Sequence, residues 1–234
     1  AYNIFEEFPP EERDVLQGPD ARRLRLEDVL ESSKIVILRK SIMNFIVGAV
    51  TRRLQQKAAG KPQEKYAFVA HSEIHRNSHG WQRDIISALV SELARVAREK
   101  SDILRPLIGE SYSDIKESVQ KIDDLLMPSV EDVREQTLKA LTEEQIMITT
   151  VNSDREVEEL LDNEGQLKLR NPMNIFIGGQ ILDRGVTINN LIGFYYGRKP
   201  KRFQQDTVLQ HSRMYGTRSV EDLAVTRFYT TRDI

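Results

Sequence analysis

Five short apolar runs punctuate the chain: Tyr66–Ala70, Ile146–Val151, Asn174–Gly178, Leu191–Tyr196 and Ala224–Tyr229. Each has strand length, and most are continuously apolar rather than alternating with polar residues. A strand that is apolar on both sides must be covered on both sides, which is the condition of a parallel sheet with helices on its two faces. Helical stretches separate the runs. The fold class expected is therefore α/β, with a mostly parallel sheet of about five or six strands.

Between Val29 and Leu54 apolar residues recur at helical spacing (Ile35, Leu38, Ile42, Phe45, Ile46, Ala49, Val50), predicting an amphipathic helix that ends in Arg52-Arg53 and breaks at Gly60-Lys61-Pro62. Before it, Pro9-Pro10 and Gly18-Pro19 read as turns or extended linker. These features divide the chain into an N-terminal extension with its leading helix, residues 1–60, and a main domain, 61–234. His71 to Gly80 reads as a polar loop. Residues 81–145 read as mostly helical, with one stripe formed by Ile85, Ile86, Leu89, Val90, Leu93 and Val96. Ser111-x-x-Asp114 and Ser129-x-x-Asp132 have the spacing of helix caps, the second preceded by Pro128. Residues 98–140 exceed what a simple crossover needs and are expected to form a helical insertion. Ser153-Asp154 caps a further short helix, and Asp206 to Tyr215 is expected to be helical, with Gly216 as its stop.

Composition narrows the functions. The chain has 234 residues, no Cys, and 34 Lys and Arg against 36 Asp and Glu, a net charge of −2. Lack of Cys excludes disulfides, iron–sulfur clusters and thiolate zinc, and agrees with a reducing cytoplasm. No apolar run reaches the ~18 residues a membrane helix needs, so no membrane partner is expected. The balanced charge excludes a generally basic coat, so nucleic-acid contact must come from a local patch. The chain begins Ala1-Tyr2-Asn3, without Met, and reads as a piece of something longer.

The stretch from Asn174 to Arg218 is richest in chemistry. An apolar strand runs into Gly178-Gly179-Gln180-Ile181-Leu182-Asp183-Arg184-Gly185-Val186-Thr187. Ligands of parallel sheets sit at the carboxyl ends of strands. Glycines there let backbone N–H groups approach an anion, and Arg184 and Thr187 suit phosphate oxygens. A tight turn with a surface arginine explains the same residues. Further on, Gln210 and Arg213 share a helical face and Arg218 lies beyond the helix stop. Two arginines beside a glycine suit a polyphosphate; a solvated cationic helix end is the other reading. Between them lies Arg198-Lys199-Pro200-Lys201-Arg202, followed by Phe203, which suits backbone phosphates and a stacked base, or simply an exposed basic loop.

In this order, Gly-Gly-x-x-Leu-x-Arg-Gly-x-Thr and Asp-Thr-x-x-Gln-x-x-Arg-x-x-Gly-x-Arg resemble motifs V and VI of superfamily-two helicases, and most closely the Z-one domain family. That family comprises helicase-related ATPases found beside bacterial restriction and modification systems and often described as endonuclease-like. Leu38–Ile46 resembles its helix into the second lobe, and Phe68-Val69-Ala70-His71-Ser72 its motif IV strand; the likeness spans about residues 30–230. The resemblance implies a RecA-like second lobe, of the P-loop NTPase type, in a DNA-directed ATPase. Its partners would be an N-terminal P-loop lobe, DNA and restriction-modification subunits. Arg213 and Arg218 would be arginine fingers and Gln210 would order the same cleft. Gly178, Gly179, Arg184 and Gly185 would lie at the nucleotide. Thr187, His71, Ser72, Lys199, Lys201 and Arg202 would contact nucleic acid. Motif VI spaces its arginines by three and here they are five apart, which leaves the choice of finger open.

The absences matter equally. Gly60-Lys61-Pro62 is the only Gly-Lys, and no Gly-x-x-x-x-Gly-Lys-[Ser/Thr] occurs. ATP and Mg2+ would then be held mainly by the other lobe, and this chain alone is expected to bind no cofactor and to be inactive. No Glu-x-Lys of a restriction nuclease is present, and Asp114-x-Lys116 falls in a helical pattern. No Gly-x-Gly-x-x-Gly supports a Rossmann-type enzyme. His71, His75 and His79, every fourth residue, would make a metal stripe on a helix, but their segment reads as loop, so no metal site is expected. The sequence thus supports a second motor lobe or, alternatively, a catalytically inert module that docks DNA or protein.

Overall fold

The computed structural model describes residues 5–20, 22–71, 76–151, 153–163, 165–178, 188, 190–197 and 218–231. In chain order these form β1 (Phe5–Glu7), α1 (Pro10–Val15), a 3-10 turn at Leu26–Asp28, α2 (Val36–Ala58), β2 (Tyr66–His71), α3 (Arg76–Arg98), α4 (Leu104–Val119), α5 (Val130–Thr142), β3 (Ile146–Thr150), α6 (Asp154–Leu160), β4 (Met173–Ile177), β5 (Leu191–Tyr196), α7 (Val220–Val225) and β6 (Arg227–Thr230). The six strands make one sheet in the order β1-β6-β5-β2-β4-β3. Every pairing is parallel.

The central strands β2, β4 and β5 are buried at every position, as their unbroken apolar runs require. Register along β2–β5 slips once: Ala67 pairs with Leu191 but Phe68 with Gly193. Ile192 is the extra residue, a bulge that turns Ile192 and Tyr195 to the same face. Gly193 is needed beside it, since a Cβ there would lie 2.3 Å from the Phe68 ring.

α2 and α3 lie on the first face of the sheet, and α4, α5 and α7 pack outside α2. Every residue of α2 from Ser41 to Arg52 is buried, so this is a central helix rather than the amphipathic one its spacing predicts. Ile42, Phe45 and Ile46 are each at most 1% exposed and stabilise the fold by ~1.5–3 kcal/mol apiece. The stretch expected as an insertion is part of this core. Ile108, Ile115 and Val119 of α4 and Val133, Ala140 and Leu141 of α5 join one cluster with Ile35, Ile46 and Tyr229. α4 also runs straight through Ser111 and Asp114, so that pair caps nothing; Ser129 does cap α5, accepting from the Asp132 N–H. Ser153 and Glu156 form a reciprocal cap on α6.

Residues on both sides of position 60 contribute to one sheet and one core. β1 pairs with β6, and Phe8, Val15 and Leu16 join the main cluster. At the other end, Ala224 and Val225 finish α7 and the last strand starts only at Arg227. The second face carries a smaller cluster: Ala67, Val69, Val151, Val157, Leu167, Phe176, Phe194 and Tyr196 among its members.

Candidate nucleic-acid interface at the carboxyl rim

The strands β5, β2 and β4 lie side by side and end together. The ladder continues one residue past them: Gly178 N–H donates to Ala70 O at 3.2 Å, Gly197 N–H to His71 O at 2.9 Å, and Val151 N–H to Ile177 O at 2.8 Å. From β2 the chain moves toward β3, whereas from β5 it moves toward β6, on the opposite side. Adjacent strands whose connections part in this way open a crevice at their carboxyl ends, the usual ligand position of parallel sheets.

The segments that follow these strands carry most of the candidate residues. Ser72 and His75 follow β2; Gly179, Arg184, Gly185 and Thr187 follow β4; Lys199, Lys201, Arg202, Phe203, Gln210 and Arg213 follow β5. All of them lie outside the described residues.

The rim is built by charge as well as by topology. Glu12, in α1, is 2% exposed and its carboxylate accepts from Ile37 N–H at 3.0 Å, Leu38 N–H at 2.6 Å and Tyr195 OH at 3.0 Å. It therefore caps α2 in place of Ile35, which has no side chain able to do so. Burial pushes its pKa up, against the two amides and Tyr195, which pull it down. Burial and the neighbouring carboxylate raise the Tyr195 hydroxyl well above its ordinary value. The first turns of α3 hold the end of α1: Ser78 Oγ donates to Gln17 O at 2.6 Å and Trp81 Nε1 to Val15 O at 2.9 Å.

His71 is the last residue of β2, not a loop residue, and is 1% exposed. Its ring lies 5.6 Å from Tyr196 and 6.4 Å from His79, centroid to centroid. It supports the rim from beneath and presents no edge to solvent. His79 is also buried, on α3, which begins at Arg76 where a polar loop is expected. Among the described residues no three His, Asp or Glu side chains are placed to hold a metal ion.

Gly178 has a structural cause. Its φ is +132°, and a Cβ would lie 2.2 Å from Val151 O, so only glycine fits where β4 passes the end of β3. Its N–H donates to Ala70 O within the sheet.

Arg218 sits at the other rim. Its Nη1 lies 3.5 Å from Thr226 Oγ1, and Thr226 immediately precedes β6. The four residues of β6, roughly 13 Å, separate Thr226 from the carboxyl end of the strand. Thr226 Oγ1 donates to Asp222 O, and the Asp222 carboxylate accepts from Arg52 Nε at 2.7 Å and Tyr66 OH at 3.3 Å. Deeper still, Arg227 donates to Asp114 Oδ1 from Nε and Nη2, at 3.2 and 3.0 Å, and to Ser118 Oγ at 2.9 Å. Asn44 Nδ2 donates to the other Asp114 oxygen at 2.7 Å. Asp114 is thus a structural anchor, which removes Asp114-x-Lys116 as a nuclease element. Sequence reasoning passes over Glu12, Arg227 and Asn44; the only hint of the last two is a polar residue inside an apolar run.

These features define a parallel α/β module whose central strands end together at a topological switch point, with no group of side chains among the described residues placed to hold a metal. The Z1 domain family matches residues 37–234, and the chain belongs to that family. No curated protein matches the chain. No solved structure matches it either. Among the described residues no helix is long and apolar enough to cross a membrane.

Proposed function

We propose that this Z1 domain is a docking module for nucleic acid that hydrolyses no ATP by itself, with the carboxyl rim as its binding face. One observation carries the reading: β5, β2 and β4 end side by side at a topological switch point, and the sequences that follow them hold Arg184, Thr187, Lys199, Lys201 and Arg202. Cationic side chains gathered at such a rim would neutralise backbone phosphates, and Phe203 would offer a base a stacking partner.

The second reading, a RecA-like motor lobe of a restriction-associated DNA-directed ATPase, is favoured by the order of the two helicase-like motifs. It needs a P-loop lobe outside this chain to hold ATP and Mg2+, with Arg213 as the finger. Arg218 fits it less well, because its guanidinium lies beside Thr226 at the amino rim.

The test is fluorescence anisotropy with labelled single- and double-stranded oligonucleotides, without nucleotide. Docking predicts binding that weakens steeply with salt and is itself weakened, with a flatter salt dependence, when Lys199, Lys201 and Arg202 become alanine. It also predicts no response to ATP and no phosphate release. Absence of binding at low salt contradicts the docking reading; ATP turnover by this chain, lost in Arg213→Ala, contradicts its inert character.

A further inference from the structure

The two edges of the sheet are finished differently. β1, at one edge, is three residues long and carries Glu6 and Glu7, the kind of short, charged strand that resists pairing with another chain. β3, at the other, is Ile146-Met147-Ile148-Thr149-Thr150, without a charge, a proline or a glycine, and every residue is half-buried. Among the described residues no strand lies beyond it.

The direction of its free groups follows from register. Gln145 O accepts from Met173 N–H and Val151 N–H donates to Ile177 O, so the odd-numbered residues of this stretch face β4. The N–H and C=O of Ile146, Ile148 and Thr150 therefore point outward. That set is symmetric about Ile148. A second β3 laid antiparallel, with the two-fold axis at Ile148, sets Ile146 against Thr150 and Ile148 against itself, with every outward group matched.

Charge selects the same orientation. Glu143 and Glu144 are exposed before the amino end of β3, and Arg155, with 87% of its side chain exposed, follows its carboxyl end. Antiparallel pairing brings the glutamates of one copy toward the arginine of the other, whereas parallel pairing would set like charges together. Beside the amino end, a surface groove of about 350 Å3 between α3 and α5, lined by Val90, Ala94, Leu141 and Ile146, leaves room for partner side chains on the helical face.

We infer that β3 is the interface with a second copy of this chain, forming a two-fold dimer with a continuous twelve-stranded sheet through antiparallel β3–β3 pairing. This inference does not depend on the nucleic-acid reading. A C2 contact of one edge strand with itself closes and leaves no further edge of that kind.

Sedimentation equilibrium of the whole chain tests it. The native protein is expected to be dimeric at tens of micromolar. Ile148→Pro is the diagnostic variant, because it deletes an outward N–H and leaves the bonds to β4 in place. It is expected to be monomeric, with an unchanged circular dichroism spectrum. Glu144→Arg is expected to weaken the dimer at least tenfold, and adding Arg155→Glu to restore it. A native chain that stays monomeric overturns the inference. So does a dimer that survives a folded Ile148→Pro or, should that variant not fold, one indifferent to Glu144→Arg.

Discussion

The two rims of the sheet are made of different materials. At the amino rim, polar side chains satisfy one another: Arg52 with Asp222, Tyr66 with Asp222 and Gln56, and Arg227 with Asp114. At the carboxyl rim, Glu12 binds the amides of α2 and the Tyr195 hydroxyl, and Ser78 binds the Gln17 carbonyl. The cationic candidates of the sequence follow two of the strands that end there, Arg184 after β4 and Lys199, Lys201 and Arg202 after β5. A closed network of side chains holds elements together at the amino rim. Stability is thus concentrated at the amino end of the sheet, and under the proposed docking function recognition falls to the other end.

The largest expected effect breaks the amino rim. Arg227→Met leaves Asp114 facing a lost cation in a site where Arg227 is 2% exposed. Removal of one member of a buried pair costs about 3–5 kcal/mol, read as a lower urea midpoint. Next is Gly178→Ala, which sets a Cβ against Val151 O at a left-handed φ and is expected to cost about 2–3 kcal/mol. It tests whether the glycine is there for packing: the loss should show in stability even where no nucleic acid is present.

A smaller effect reports on Glu12. Its pKa is raised above the ordinary 4.5, chiefly by burial, so the folded state holds the proton more tightly than the unfolded chain. Its contribution to stability is then full below pH 4.5 and declines as pH rises through the folded value. Glu12→Gln cannot titrate. The difference in Tm between native protein and variant should therefore shift against the native protein as pH rises from about 4 to 7. A difference that moves the other way would mean that the α2 amides outweigh burial.

Smallest in stability is the triple variant of Lys199, Lys201 and Arg202 to alanine. It is expected to change the unfolding free energy by less than about 0.5 kcal/mol. It should nevertheless flatten the salt dependence of duplex binding, by up to ~0.9 in slope for each lost phosphate contact. A large loss of stability with unchanged binding would reverse the assignment of the rims.

Much of the sheet is legible in the sequence because its central strands are buried on both faces. Tyr66–Ala70, Asn174–Gly178 and Leu191–Tyr196 fall within a residue of β2, β4 and β5. β1 is invisible because Phe5-Glu6-Glu7 has neither length nor apolarity, and it pairs only because β6 offers an edge. α2 misleads because an apolar stripe marks only the most buried face, and Asn44 and Arg52 are buried through partners distant in sequence, Asp114 and Tyr229 for the first and Asp222 for the second. α4 and α5 read as an insertion because length alone cannot tell a crossover that thickens the core from one that leaves it. His71 looks like a loop residue until β2 is seen to run one position further. Of the candidate site, the sequence reveals the chemistry of the segments but not that their parent strands are neighbours.

Amide chemical-shift mapping with a short oligonucleotide tests the assignment of the two rims most directly. The account predicts perturbations at Ala70, His71, Tyr196 and Gly197, with Asp222, Thr226 and Arg227 unchanged. Perturbations centred on Arg218, Asp222 and Thr226, with the ends of β2 and β5 silent, would contradict it.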